Sequence, residues 1–175
     1  APTTSTRAGT AQTFQRAAMQ IREYRPESDL SALRACAVDL QDFERALDPR
    51  LPKGDHMADA YLEEVFERAR NFAGKFFVAE IDGQVAGLVT VLGAYRLEEP
   101  SETHAPFAYV DDLLVLAKYR GQGIGKALLA RAEEYARQCG RASIRLTVKG
   151  GNHPARAFYT DAGYGEYELE LEKRL

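Results

Sequence analysis

Two kinds of apolar spacing alternate along this 175-residue chain. Gln20 to Arg25 has Met19 and Ile21 on one face, continued by Glu23 and Arg25, which predicts a strand that Pro26 ends. Ser28 or Asp29 is a candidate cap for a following helix, whose apolar stripe is Leu30, Leu33, Ala37, Leu40 and Phe43. Asp48 to Asp55 breaks the pattern and reads as a loop. A second helix is predicted from about Ala58 to Arg70, with Tyr61, Leu62, Val65, Phe66 and Ala69 inward. Lys75 to Ile81 and Gln84 to Leu92 read as a hairpin around Asp82-Gly83. Leu113 to Leu116, entered through Tyr109 and Val110, is a short buried strand. Ile124, Ala127, Leu128, Ala132, Tyr135 and Ala136 recur at helical spacing until Gly140. Ala142 to Val148 reads as a strand, and Pro154 to Gly163 as a short helix with Ala155, Phe158, Tyr159 and Ala162 on one side. Glu166 to Glu172 alternates strictly, giving a last strand with one apolar and one acidic face.

Between the buried strand and the central helix stand Gly121, Gly123 and Gly125. Bare backbone at a helix start presents N–H groups that lack intrahelical partners, which suits a phosphate. The familiar phosphate motifs fail here. A P-loop would need Gly where Arg120 stands and Ser or Thr where Ala127 stands. The dinucleotide fingerprint would need Gly where Lys126 stands.

Charge sharpens this picture. From Leu113 to Thr160 there are nine basic residues and two acidic ones, net +7, in a chain of net −3; the remainder therefore carries −10. A basic lobe suits a polyanionic ligand and an acidic remainder a cationic one. With 45% hydrophobic and 28% charged residues the chain reads as one ordinary globular domain, 19–175, behind a flexible tail, 1–18. That tail is rich in Thr, Ala, Gln and Ser, contains no acid, and vaguely resembles an organelle transit peptide, though it is short. No apolar run approaches a membrane span, and no nucleic-acid module is recognisable. Cys36 and Cys139 are too few for a disulfide framework, and three histidines lack metal spacing, so no metal and a reducing cytoplasm are expected.

What fits the glycine turn is Arg120-x-x-Gly123-x-Gly125, which resembles the pyrophosphate-binding motif of the GNAT superfamily of N-acetyltransferases. Downstream, Asn152, Ala155, Tyr159, Gly163 and Tyr164 are similar to that family's second motif, in the right order. The resemblance implies an α/β fold of the GNAT acyl-CoA N-acyltransferase type: a mixed, mostly antiparallel sheet of six to seven strands with helices on both faces. It implies acetyl-CoA as cosubstrate. Leu113, Leu114 and Val115 match residues whose backbone lines the pantetheine arm, with the Val115 N–H as oxyanion donor. Arg120, Gly121, Gln122, Gly123, Ile124, Gly125 and Lys126 match the pyrophosphate loop, Asn152 a pantetheine contact, and Tyr159 the proton donor to the CoA thiolate. Ala117 departs from the family, where many members carry proline.

A protonated alkylamine, titrating near ~10.4, cannot attack a thioester until something takes its proton. Val110-Asp111-Asp112-Leu113-Leu114-Val115 is similar to an acid-acid-apolar segment of spermidine/spermine acetyltransferases, whose first acid serves the amine. Adjacent strand residues point to opposite faces, so one carboxylate at most should face the thioester, and Asp111 is favoured. Acetyl transfer to a primary amine by direct attack in a ternary complex is the expected activity, with a small cationic amine as acceptor. The acidic stretch Glu98 to Pro106, with Glu98, Glu99, Glu102 and His104, is a further candidate contact for it. A protein N-terminus or lysine as acceptor, and a non-catalytic acyl-CoA-binding sensor, are the alternatives. Neither cysteine lies near the motifs, which argues against a thiol route. The last sheet position is either short or filled by a partner chain, which leaves a homodimer open.

Overall fold

The computed structural model describes residues 18–97 and 105–173. Five strands form one sheet in the order β1 (Gln20–Glu23), β2 (Gly74–Ile81), β3 (Gln84–Tyr95), β4 (Phe107–Val115), β5 (Ile144–Leu146). The first three pairings are antiparallel, and β4 with β5 is parallel. Helices α1 (Pro26–Leu47) and α2 (Gly54–Asn71) cover one face. Helices α3 (Ile124–Gln138) and α4 (His153–Asp161) lie on the other.

Each face has its own core. Leu33, Cys36 and Ala37 of α1, with Ala58 and Leu62 of α2, pack on Val78, Leu88 and Leu114 of the sheet. Ile124, Leu128, Leu129 and Ala132 of α3 pack on Phe77, Ala79, Val89, Val91 and Val110. Asp82 (φ 50°) and Gly83 (φ 75°) both take positive φ, as a type I′ hairpin turn requires.

Several elements differ from the sequence expectation, each for a visible reason. Helix α1 starts on Pro26, and no side chain caps it; Asp29 instead accepts from the Arg25 N–H and from the Arg22 guanidinium. Leu30 is 49% exposed and Phe43 36%, so the apolar stripe narrows to Leu33, Cys36 and Ala37. Helix α2 begins at Gly54, four residues early. The Gly54 N–H donates to Asp42 Oδ1, and a Cβ there would fall 2.4 Å from the Val38 carbonyl oxygen, so only glycine lets the helices approach this closely.

Two expected strands shrink or vanish. Ala142 to Val148 pairs only over Ile144–Leu146. Glu166 to Glu172 forms no ladder, and its apolar positions Tyr167, Leu169 and Leu171 are 69%, 69% and 83% exposed. Tyr167 stacks instead on the Arg145 guanidinium, and Glu172 pairs with Arg50. The sheet of the described residues therefore has five strands, not six or seven. The acidic stretch from Glu98 to His104 lies outside the described residues.

Candidate active site

β4 organises the site. It pairs with β5 only through Ala108, Tyr109 and Val110, so from Asp111 to Val115 its outer edge diverges from the neighbouring strand. The Leu116 N–H donates to the Ala86 carbonyl on the β3 side at 3.0 Å. Successive residues of a strand send their N–H and C=O groups to opposite edges, so those of Leu113 and Val115 point into the divergence. The Val115 carbonyl there accepts from Arg120 Nε at 2.9 Å, which ties the start of the glycine turn to the open edge.

A short 3₁₀ turn (Ala117–Tyr119) leads from β4 into the glycine turn. Gly121 (φ 75°) and Gly123 (φ 82°) take left-handed backbone, and a Cβ on either would meet nothing within 4 Å. Gly123 caps α3 without a side chain. Ala127 is the first residue whose N–H returns to this cap, donating to the Gly123 carbonyl, so the amides of the first turn have no intrahelical partner. Gly121, Gln122, Gly123 and Lys126 are exposed, whereas Ile124 is buried and roots the turn in the core. Bare backbone, unsatisfied N–H groups and nearby Arg120 and Lys126 fit a pyrophosphate.

Helix α4 borders the open edge. A Cβ on Gly125 would lie 3.5 Å from the Phe158 ring and 3.7 Å from Val115 Cγ2, so α4, α3 and β4 meet there. Asn152 caps α4, its Oδ1 accepting from the Ala155 N–H at 3.2 Å. Tyr159 packs edge-on against Phe158 and Tyr164, and its hydroxyl bonds no protein group among the described residues. Burial first, then the charge of Asp112, pushes its phenol up to about 12.

The two carboxylates do not split between faces. Thr90 of β3 faces Asp112 and Val91 faces Val110, so Asp111 is the extra residue of a β-bulge. Asp112 accepts from Tyr61 Oη at 2.7 Å, and Asp111 from Arg68 Nε at 3.0 Å. Tyr61 and Arg68 are both on α2, so the alternation argument fails at the bulge and both acids reach the same helix. Burial raises Asp111 despite the guanidinium beside it. Burial raises Asp112 further, to about 6, with the Tyr61 hydroxyl holding it down and Asp111 pushing it up. Cys36, which stands apart from the motifs in the sequence, lines the same cavity as Asp112; burial drives its thiol up to about 12, so it stays protonated.

Sequence reasoning read Tyr61 only as an inward aromatic and did not single out Arg68. Their spacing of seven, which puts Arg68 two turns along α2 from Tyr61 on the same side, was the available signal.

Residues 40–164 match the family model of the acetyltransferase (GNAT) family. The chain belongs to that family. N-acetyltransferase family 8 member 2 of Rattus norvegicus is 32% identical over 119 residues, 66% of this chain and 51% of the rat protein. An uncharacterized N-acetyltransferase of Methanocaldococcus jannaschii is 31% identical over 142 residues, 75% of this chain and 58% of that protein. The chain thus spans only a little over half the length of these relatives. An aminoglycoside N-acetyltransferase crystallised with CoA superposes with a TM-score of 0.64 over 89% of this chain and 98% of that one; at 17% identity this likeness speaks for the fold alone. The GNAT fold thus accommodates the five-stranded sheet. No helix among the described residues is long and apolar enough to cross a membrane.

Proposed function

We propose that this GNAT-family chain transfers the acetyl group of acetyl-CoA to a primary amine by direct attack in a ternary complex. The observation that carries the reading is the outer edge of β4 from Asp111 to Val115, which no strand among the described residues pairs, running into a bare, cationic helix start. Pantetheine would lie along that edge beside Leu113, Leu114 and Val115. The pyrophosphate would sit on Arg120, Gly121, Gln122, Gly123, Ile124, Gly125 and Lys126. Asn152, whose Oδ1 is engaged in the cap, has its side-chain N–H₂ to offer a pantetheine amide.

In the reaction the amine nitrogen bonds the thioester carbon and the carbon–sulfur bond breaks. The Val115 N–H stabilises the charge that develops on the carbonyl oxygen. The Tyr159 hydroxyl, still protonated at neutral pH, donates to the departing thiolate. For the amine's proton we favour Asp112 over Asp111. Asp111 is neutralised by Arg68, whereas Asp112 has only a phenol partner and a pKa of about 6, near the working range of a general base. Holding both reactants supplies much of the rate.

Asp112 places a carboxylate with no cationic hydrogen-bond partner among the described residues on the α1–α2 side of the site, which supports a small cationic amine as acceptor. The test is free-thiol release from acetyl-CoA across a panel of polyamines, aminoglycosides, amino acids and peptides, run beside Tyr159→Phe. Turnover that drops in the variant supports the enzyme. CoA binding with no turnover on any amine would replace it with an acyl-CoA sensor.

A further inference from the structure

Behind Asp112 lies a cavity between α1, α2 and the sheet. Its polar lining is Thr90, Asp112, Tyr61 and Cys36, and aliphatic side chains, most of them leucines, close the rest. It offers about 10 Å³ to the centre of a water molecule, the space one water needs. Thr90 is fully buried, and its Oγ1 is the one buried side-chain polar atom among the described residues without a hydrogen-bond partner. Thr90 stands directly opposite Asp112 in the β3–β4 ladder.

An orphaned buried hydroxyl is costly, and such groups in folded proteins are met by protein or by ordered water. Here Thr90 and Asp112 line one cavity with room for about one water. Asp112 Oδ1 accepts from Tyr61, its second oxygen has no protein donor among the described residues, and the residue lines the cavity. We infer that one structural water occupies this cavity, accepting from or donating to Thr90 Oγ1 and donating to the Asp112 carboxylate, and that Thr90 is thereby a positioning residue for Asp112. This rests on the reading of Asp112 as the base, but the water itself can be sought without any activity.

The water's donated bond favours the ionised carboxylate and offsets part of its burial. It keeps Asp112 able to accept a proton at neutral pH and fixes the rotamer that Tyr61 also grips. The other groups facing Asp112 are Arg68 of α2, Cys36 and Glu44 of α1, Tyr159 of α4 and Asp111 beside it. None of them touches Thr90 through a hydrogen bond, so a change at Thr90 leaves their contacts in place.

Thr90→Val keeps the shape and removes the hydroxyl; Thr90→Ser keeps the hydroxyl. Two measurements on the full chain test the inference. A crystal structure at atomic detail is expected to show one water within hydrogen-bond distance of Thr90 Oγ1 and Asp112, absent in Thr90→Val. Carboxyl-carbon NMR, with Asp112 assigned through Asp112→Asn, is expected to move the Asp112 midpoint up by about one pH unit in Thr90→Val, the worth of one hydrogen bond to a charged group, and to leave it near wild type in Thr90→Ser. A dry cavity, a direct Thr90–Asp112 hydrogen bond, or a Thr90→Val midpoint equal to wild type would overturn it. Both readouts stand if no amine is acetylated, so failure of the enzyme reading and failure of the water are separable.

Discussion

Tyr61 Oη donates a 2.7 Å hydrogen bond to Asp112 Oδ1, joining the middle of α2 to the bulge in β4. The bond couples helix placement to proton affinity. Tyr61 is itself raised above its ordinary range, by burial first and then by the charge of Asp112, so it remains a donor throughout neutral pH. Removing it with Tyr61→Phe leaves the packing and deletes a bond to the charged form of Asp112. The Asp112 pKa is then expected to rise from about 6, and the acidic limb of kcat/KM to move to higher pH by about one unit. A pH profile on the best amine checks this, with the acetyl-CoA KM as the parameter that should stay still.

Asp112→Asn separates function from stability. As a general base, Asp112 is expected to be worth roughly 10²–10⁴-fold in kcat. Stability should move the other way. The carboxyl titrates at 3.8 when unfolded and at about 6 when folded, so the native state holds its proton more tightly. Wild-type stability therefore falls as pH rises from about 4 to 6, by on the order of 2 kcal/mol from this group. The amide carries no such cost. Denaturant unfolding should show the variant gaining on wild type between pH 4 and 7, with no gap below pH 4.

How much of this was legible in the sequence depended on whether the signal was local. The glycine turn, the hairpin at Asp82-Gly83 and the stripe of α3 are local patterns, and each folds as read. The bulge at Asp111 was not legible. It depends on how Thr90 and Val91 register against β4, a pairing twenty residues away, and it brings both carboxylates to α2. The Arg68 and Tyr61 partners were hidden for the same reason. The alternation of Glu166 to Glu172 is real, yet a strand also needs a neighbour, and β5 spans only Ile144–Leu146. Phe43, expected inward, lies instead beside the Arg120 guanidinium at the mouth of the glycine turn.

Tyr159→Phe tests the other end of the reaction. The phenol at about 12 carries its proton over the whole working range, so it contributes no limb to the neutral pH profile. Its loss is expected to lower kcat by roughly 10²-fold while the acetyl-CoA KM changes little, because the ring still packs on Phe158 and Tyr164. A fall confined to KM would move Tyr159 from proton donor to binding contact.

The Arg22–Asp29 pair sets the acid limit of the fold. Arg22 reaches both Asp29 oxygens, at 2.6 and 3.0 Å, and also Glu80 at 2.7 Å, stitching β1 to α1 and β2. The Arg22 hydrogen bond holds Asp29 down to about 2, against 3.8 unfolded. A depressed acid stabilises above its unfolded pKa and loses that stabilisation as pH falls through its folded one. Wild-type stability from this group is thus complete above about pH 5 and lost between about pH 4 and 2. Asp29→Asn leaves a buried guanidinium short of a counter-charge and is expected to cost about 3 kcal/mol at pH 7. The deficit should close as pH drops toward 2, which urea unfolding at pH 7, 4 and 3 would follow directly.

Gly123→Ala isolates the backbone of the glycine turn proposed to hold the pyrophosphate. Gly123 sits at φ 82° with open space around any Cβ, so alanine meets no clash and costs only left-handed strain, about 1–2 kcal/mol. That strain acts on the residue from which α3 starts, and relieving it turns the first-turn amides away from their common focus. Overall stability should fall by no more than the strain. The acetyl-CoA KM should rise by roughly tenfold or more, since the lost geometry is that of several N–H donors at once. Arg120→Ala, by contrast, removes the tie to the Val115 carbonyl and one cation, so its effect on KM should shrink as salt is raised, while that of Gly123→Ala should not.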